Sequence, residues 1–283
     1  KMTLPRGFRF SQGSLQDYVD CPRRFQLRHV RRLRWPAVEV EPALENERYL
    51  QQGAAFHRLV HQHLAGIPAQ ELSRVVTGPQ LRRWWHNYLE CRPTNLPPDR
   101  HPEVALSTPI GHSRLLARYD LIAVESGRRI VIVDWKTSHR RPERAWLLGR
   151  LQTHVYPYLL VQAGAHLNSG APIQPKQVTM IYWFAAFPAS CERTDYSSVQ
   201  YRKDHRYLTG LVAEIEKGFQ AIEEDRLLPL AGDERTCQYC RYRSFCELGI
   251  EAGSLDQMLG EGPDEDPFEF EIDFEQIAER EVG

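Results

Sequence analysis

Leu115-Leu116-Ala117-Arg118-Tyr119-Asp120-Leu121-Ile122-Ala123-Val124, then a turn at Ser126-Gly127, then Ile130-Val131-Ile132-Val133-Asp134-Trp135-Lys136, reads as two apolar strands that each carry an acid. Asp120 falls at the end of the first strand, and Asp134 and Lys136 at the end of the second. Alternation with period two puts Asp134 and Lys136 on one face and Trp135 on the other. Two carboxylates on adjacent strands offer a hard oxygen site suited to Mg²⁺ or Mn²⁺. An ammonium beside them can neutralise charge that grows on a phosphate. D-x-K alone is also what two surface acids at strand ends look like, so the weight rests on what surrounds it.

Working outward, Val104-Ala105-Leu106 predicts a strand before these two, with Gly111 in the turn. Val178 to Phe184, apolar almost throughout, predicts a central strand. Helices are expected from an N-cap at Ser14 through Leu27 (divided at Pro22), over Asn46 to Ala65, over Pro79 to Glu90, as one long element from Arg144 to Ala163, and over Asp204 to Glu224. Helices, a meander, a helix and a further strand predict an α/β domain with a mixed central sheet.

Two helical features bear on the strand acids. Gly53-Ala54-Ala55-Phe56-His57 lies inside a helix, where Gly53 costs about 1 kcal/mol relative to alanine and so requires a reason. His57 offers an imidazole to the same metal. In Gln152-Thr153-His154-Val155-Tyr156, Gln152 and Tyr156 stack on one helix face, an amide and a phenol suited to a phosphodiester backbone.

In this order, Gly53…His57, Asp120, Asp134-Trp135-Lys136-Thr137 and Gln152…Tyr156 resemble the successive motifs of RecB-type nucleases in the PD-(D/E)xK superfamily. The resemblance implies a restriction-endonuclease-like core. In it His57, Asp120 and Asp134 hold the metal, Asp120, Asp134 and Lys136 are catalytic, and Gln152 and Tyr156 contact DNA. Glu103 resembles an acid found upstream in some members. Ala117-Arg118-Tyr119-Asp120 departs from the Gly-Arg-x-Asp common in the family, which bears on substrate fit at Ala117.

Cys237, Cys240 and Cys246 form C-x₂-C-x₅-C, and Cys21 lies far upstream in Tyr18-Val19-Asp20-Cys21-Pro22. Four thiolates suit either a 4Fe–4S cluster or a structural Zn²⁺; zinc ribbons more often show two C-x₂-C pairs. One distant cysteine followed by C-x₂-C-x₅-C resembles the iron–sulfur nucleases, namely the CRISPR-adaptation nucleases, AddB helicase–nuclease subunits and their eukaryotic relatives. That resemblance implies a 4Fe–4S cluster joining the N- and C-terminal parts of the domain. With Cys21 and Cys237 lying 216 positions apart, such a cluster closes a very long loop and reads as a structural staple. Cys91 and Cys191 read as ordinary thiols.

Six cysteines in 283 residues are not a disulfide scaffold, and their metal-like spacing favours a reducing, cytoplasmic setting. No apolar run reaches the length of a membrane span. The net charge of −1 conceals an acidic end: residues 261–283 hold ten acids against Arg280 alone, a local −9, which leaves +8 on residues 1–260. We expect a nuclease domain over 1–258 and an acidic tail over 259–283. In that tail Phe268, Phe270, Ile272 and Phe274 alternate with acids, a pattern for a strand that mimics single-stranded DNA, for a partner-docking segment, or for a solubilising end. The segment Arg23 to Arg34 reads either as one wall of a single-strand groove or as a solvated face. Trp84, Trp85 and Tyr88 read as core or partner surface.

The expected activity is metal-dependent hydrolysis of DNA, most naturally at single strands or strand ends. A helicase or CRISPR-adaptation protein is the partner that the resemblance implies. The competing reading is a nuclease-fold subunit that binds DNA or scaffolds such a complex.

Overall fold

A computed structural model describes residues 3–33, 42–138, 141–221, 223, 226–232, 236–237, 240 and 242–246, with the backbone alone given for 42–50. The acidic tail, with its Phe268 to Phe274 pattern, lies outside these residues.

The elements in chain order are β1 (Arg9–Phe10), α1 (Gln12–Asp20), α2 (Pro22–Phe25), α3 (Pro42–Leu64), α4 (Ala69–Val75), α5 (Pro79–Cys91), β2 (Asp99–Ile110), β3 (Ser113–Glu125), β4 (Arg129–Lys136), α6 (Arg144–Gly149), α7 (Leu151–Ala163), β5 (Val178–Phe184), β6 (Cys191–Asp195) and α8 (Ser198–Ala221). The six strands form one mixed sheet in the order β1-β3-β4-β5-β6, with β2 also on β3. β2, β3 and β4 are an antiparallel meander, β5 runs parallel to β4, and β6 returns antiparallel to β5.

Each face of the sheet is covered by helices. One core gathers Leu115, Ile122, Ile132 and Tyr182 under α7 and α8, with Phe10, Leu15 and Phe25 from the N-terminal segment. The other packs Leu121, Val133, Trp135 and Trp183 under α3 and α5, and here Phe56, Trp84, Trp85 and Tyr88 are core residues. Burial on both faces explains why β5 reads as a continuous apolar run.

Several boundaries differ from the sequence expectation for local reasons. The first helix starts at an N-cap on Ser11, because Ser14 occupies N3 and completes a reciprocal capping box with it. The chain breaks at Cys21, whose extended backbone caps α2 with Pro22 at its first position, followed by a π-helical turn over Gln26–Val30. The long helix from Arg144 divides at Arg150, an extended residue that becomes the N-cap of α7. β2 begins at Asp99, β1 and β6 were not anticipated, and α8 begins at Ser198. β6 alternates exposed and half-buried, mostly polar residues as an edge strand does, which left no apolar signal to read.

Part of the basic N-terminal segment serves the fold. Asp17 accepts ion pairs from Arg24, Arg28 and His29 at 2.7–3.0 Å. Arg23 Nε donates to the Leu228 carbonyl and Arg31 to that of Arg226. Burial opposes charge on Asp17, yet His29 and the two arginines win and hold its carboxyl far below the usual range. Arg23 and Arg31 thereby tie the start of the domain to the segment after α8, while Arg28, Arg31 and Arg32 keep exposed surface and Arg34 lies outside the described residues.

Candidate active site

The site forms where β3 parts from β4. Their ladder ends at Leu121↔Val133, and the next residue on each strand is an aspartate, Asp120 on one and Asp134 on the other. β3 remains paired to β2 through this point, while β4 stays on β5 with Asp134↔Tyr182 and Lys136↔Phe184. Asp120 is therefore in the middle of a strand, at the mouth of a split between two strands, rather than at a strand end as the sequence implied. Side chains change sides here: Tyr119 packs into the core beneath α7, whereas Leu121 packs into the opposite core. Across β2 the neighbouring position is Glu103, with a positive φ of 56°. The split thus coincides with a kink that runs through both strands.

Protein donors hold each carboxylate. Beyond the last ladder pair, the backbone N–H of Trp135 donates to Asp120 Oδ2 at 2.8 Å, and His57 Nδ1 lies 3.2 Å from Asp120 Oδ1. Gln152 Nε2 donates to Asp134 Oδ1 at 2.6 Å, while Lys136 Nζ lies 3.2 Å from Asp134 Oδ2 and donates to Gln152 Oε1 at 2.9 Å. Asp134, Lys136 and Gln152 thus form a closed triangle with defined orientation. Asp134 is only 5% exposed and Gln152 only 4%, so these polar contacts operate in a low-dielectric setting.

Burial works against charge on both Asp120 and His57, but their mutual attraction outweighs it. The Asp120 carboxyl is held below its usual range and the His57 imidazolium is favoured above its own.

Further residues set this arrangement up. Gly53 lies where α3 passes the end of β4, and a Cβ there would meet Thr137 Oγ1 at 3.1 Å. The close approach is the reason for a glycine inside the helix, and it brings His57, one turn on, to Asp120. α7 is placed by Gln16, whose side chain accepts from the Leu151 N–H at 3.0 Å, and by Tyr119, whose hydroxyl donates to the Tyr156 carbonyl at 2.9 Å. Thr153 and Tyr182 join hydroxyl to hydroxyl at 2.6 Å, and the Tyr182 ring carries the Lys136 ammonium 5.7 Å from its centroid. None of Gln16, Tyr119, Thr153 or Tyr182 carried a sequence signal, because each acts through a fold that brings distant segments together.

Of the anticipated site residues, His57, Asp120, Asp134, Lys136 and Gln152 converge. Tyr156 is a buried neighbour, its ring 4.8 Å from that of Tyr119, and Glu103 is drawn into an ion pair with Arg118. The four cysteines partly converge. Cys21 and Cys237 are buried, and the thiols of Cys21, Cys240 and Cys246 lie close enough to act on one another electrostatically. Burial above all pushes Cys240 up to about 11 and raises Cys246. Cys91 and Cys191 are exposed thiols. Among the described residues, no three His, Cys, Asp or Glu side chains stand together as a closed metal-holding group.

Residues 9–247 match the family model described as the PD-(D/E)XK nuclease superfamily, and the chain belongs to that superfamily. In solved structures, a protein from Eubacterium rectale named "Putative exonuclease" is similar in fold, with a TM-score of 0.50 at 9% identity over 89% of this chain and 92% of that one. The protein SSO0001 aligns with a TM-score of 0.38 at 13% identity, over 84% of this chain and 85% of its own. No curated protein sequence matches the chain. No helix among the described residues is long and apolar enough to cross a membrane.

Proposed function

We propose that this chain is a RecB-type DNA nuclease that depends on Mg²⁺ or Mn²⁺ and acts on single strands or strand ends. The observation that carries the reading is the paired Asp120 and Asp134 at the β3–β4 split, with Lys136 tied to Asp134 through Gln152. The donor set fits a hard divalent ion: two carboxylates from adjacent strands and the imidazole of His57, all within one another's electrostatic reach. His57, Asp120 and Asp134 would hold that ion, which when bound supplies an activated water and polarises a phosphate oxygen. Lys136 keeps its ammonium at the mouth of the split, where negative charge accumulates on the scissile phosphate. Its partners Gln152 and Asp134 hold it there before substrate arrives, so little reorganisation is left for the reaction.

Digestion of strands labelled at either end tests the reading, with single and double strands compared in Mg²⁺ and in Mn²⁺. Metal-dependent release of short products from one end supports it and gives the polarity. A purified protein inert in both metals until a helicase or CRISPR-adaptation protein is added would favour the scaffolding role instead.

Gln152 offers a second test. As a residue that positions Asp134 and Lys136, its change to leucine lowers kcat about 10- to 100-fold, as for other supporting partners of metal ligands, and leaves KM for DNA nearly unchanged. A rise in KM with kcat intact would instead place Gln152, with Tyr156, on the DNA backbone.

The same reading includes a 4Fe–4S cluster on Cys21, Cys237, Cys240 and Cys246. Four thiols of which three already interact are a suitable soft donor set, and they lie at the junction where Arg23 and Gln26 grip the segment after α8. We assign residues 1–258 to the nuclease domain, 259–283 to a tail, and the protein to the cytoplasm.

A further inference from the structure

Behind the active site, on the face of the sheet opposite α7, lies a cavity of about 90 Å³, room for several waters. It is bounded by Leu64, Tyr88, Arg92, Thr94, Arg100 and Trp135. Its polar side chains are two guanidiniums, two hydroxyls and an indole. Arg100 on β2 is exposed and, among the described residues, has no ion-pair partner. Arg92 spends one guanidinium nitrogen on the Leu89 and Tyr88 carbonyls, at 2.5 and 3.4 Å, and lies over the Tyr88 ring, which leaves the rest of its fork to offer.

The third donor is the most telling. Trp135 is 3% exposed, and its indole N–H has no hydrogen-bond partner among the described residues. A buried N–H left unmade is costly, and cores rarely keep one without a use. The charges around the cavity agree: beyond the effect of burial, those acting on Tyr88 and on His63 are the two guanidiniums, Arg92 and Arg100.

We infer that this cavity is a phosphate site, in which Arg92, Arg100 and the Trp135 indole together take a phosphate monoester or inorganic phosphate. Two arginines beside a neutral donor are the recognition chemistry of that group, and the fork of each guanidinium matches its oxygens. The site reports to the active centre through one residue. Trp135 lies between Asp134 and Lys136, and its backbone N–H holds Asp120 while its side chain lines the cavity. An anion seated there fixes Trp135 from behind. The existence of the site is independent of the nuclease reading; only a strand end as the source of its phosphate rests on that reading.

The test uses the full chain without divalent ions, so that nothing is cleaved. Single strands ending in 5′-phosphate, 3′-phosphate or hydroxyls are compared by fluorescence anisotropy, and inorganic phosphate is titrated calorimetrically. A fivefold or larger preference for one phosphorylated end, abolished by Arg100→Gln, supports a strand-end site. Phosphate binding that Arg100→Gln abolishes, without any end preference, supports a site for free phosphate. Equal affinity for all three strands together with no calorimetric binding of phosphate overturns the inference, as does binding unaffected by both Arg100→Gln and Trp135→Phe. Cleavage of hydroxyl-ended strands in Mg²⁺ is measured separately, so a failure of the nuclease reading would show there and leave the phosphate result standing.

Discussion

Asp134→Asn reduces cleavage of a single-stranded substrate to background, a fall on the order of 10³ or more, while the protein stays folded. Asparagine keeps the shape of the side chain and an oxygen to accept from Gln152 Nε2, so the buried amide is not orphaned. What disappears is one of two negative charges at the β3–β4 split, and with it both a ligand for a hard cation and the partner of the Lys136 ammonium. Asp120→Ala also abolishes activity, but it additionally strips the acceptor from the Trp135 N–H and costs about 1–3 kcal/mol of stability. Lys136→Ala falls less far, on the order of 10², as expected when a charge-stabilising donor is removed while the carboxylates remain. Rates measured with a labelled strand, beside far-UV circular dichroism and thermal melts, separate the chemical loss from unfolding. An Asp134→Asn protein that cleaves at the parent rate would show that this split is not where the chemistry happens.

The sheet that carries these residues was legible where apolar alternation is strong. β3, β4 and β5 were read nearly to their ends, because β4, β5 and the second half of β3 are buried on both faces, the first half of β3 alternates, and their branched and aromatic residues leave little ambiguity. β1 has two residues and β6 is polar, so neither gives a period to detect. The residues that meet at the site were legible as a set, but not their grouping. Gln152 was read with Tyr156 as a contact to the DNA backbone, and in the folded chain it is buried between Asp134 and Lys136. That contact depends on the break at Arg150, which swings α7 over the sheet, and on Gln16 capping it from 135 residues upstream. The structural part played by the arginines after Cys21 was hidden for a related reason. Their charge was visible, but Asp17 as the shared partner of Arg24 and Arg28, 7 and 11 positions away across a helix break, was not. Trp135 illustrates the limit most sharply. Period two places its side chain correctly on the far face, yet nothing in the chain order indicates that a cavity with two guanidiniums waits there.

Cys21→Ser bleaches the protein and lowers its melting temperature by about 5 °C or more. The substitution isolates the cluster from the local fold. Cys21 is the N-cap of α2, with its sulfur accepting from the Arg24 N–H at 3.4 Å, and serine is a better cap than cysteine. The helix start is therefore preserved, and any loss of stability comes from the bond between distant parts of the chain. The size follows from the loop that a cluster would close, 216 residues from Cys21 to Cys237, and from a conversion of about 2–4 °C per kcal/mol for a domain of this size. The junction does not depend on metal alone, since Asp17 with its cations, Arg23 on Leu228 and Gln26 on Arg226 already tie the first helices together and to the segment after α8. The variant is accordingly expected to fold and to melt earlier, rather than to fail outright. Protein purified without oxygen should be brown, with about four irons per chain for a cubane. Cys91→Ser and Cys191→Ser, which change exposed thiols, leave both colour and melting temperature as they were. A colourless parent protein with one stoichiometric zinc would refute the iron–sulfur assignment. It would leave the staple in place, because a tetrahedral ion on the same four thiolates closes the same loop.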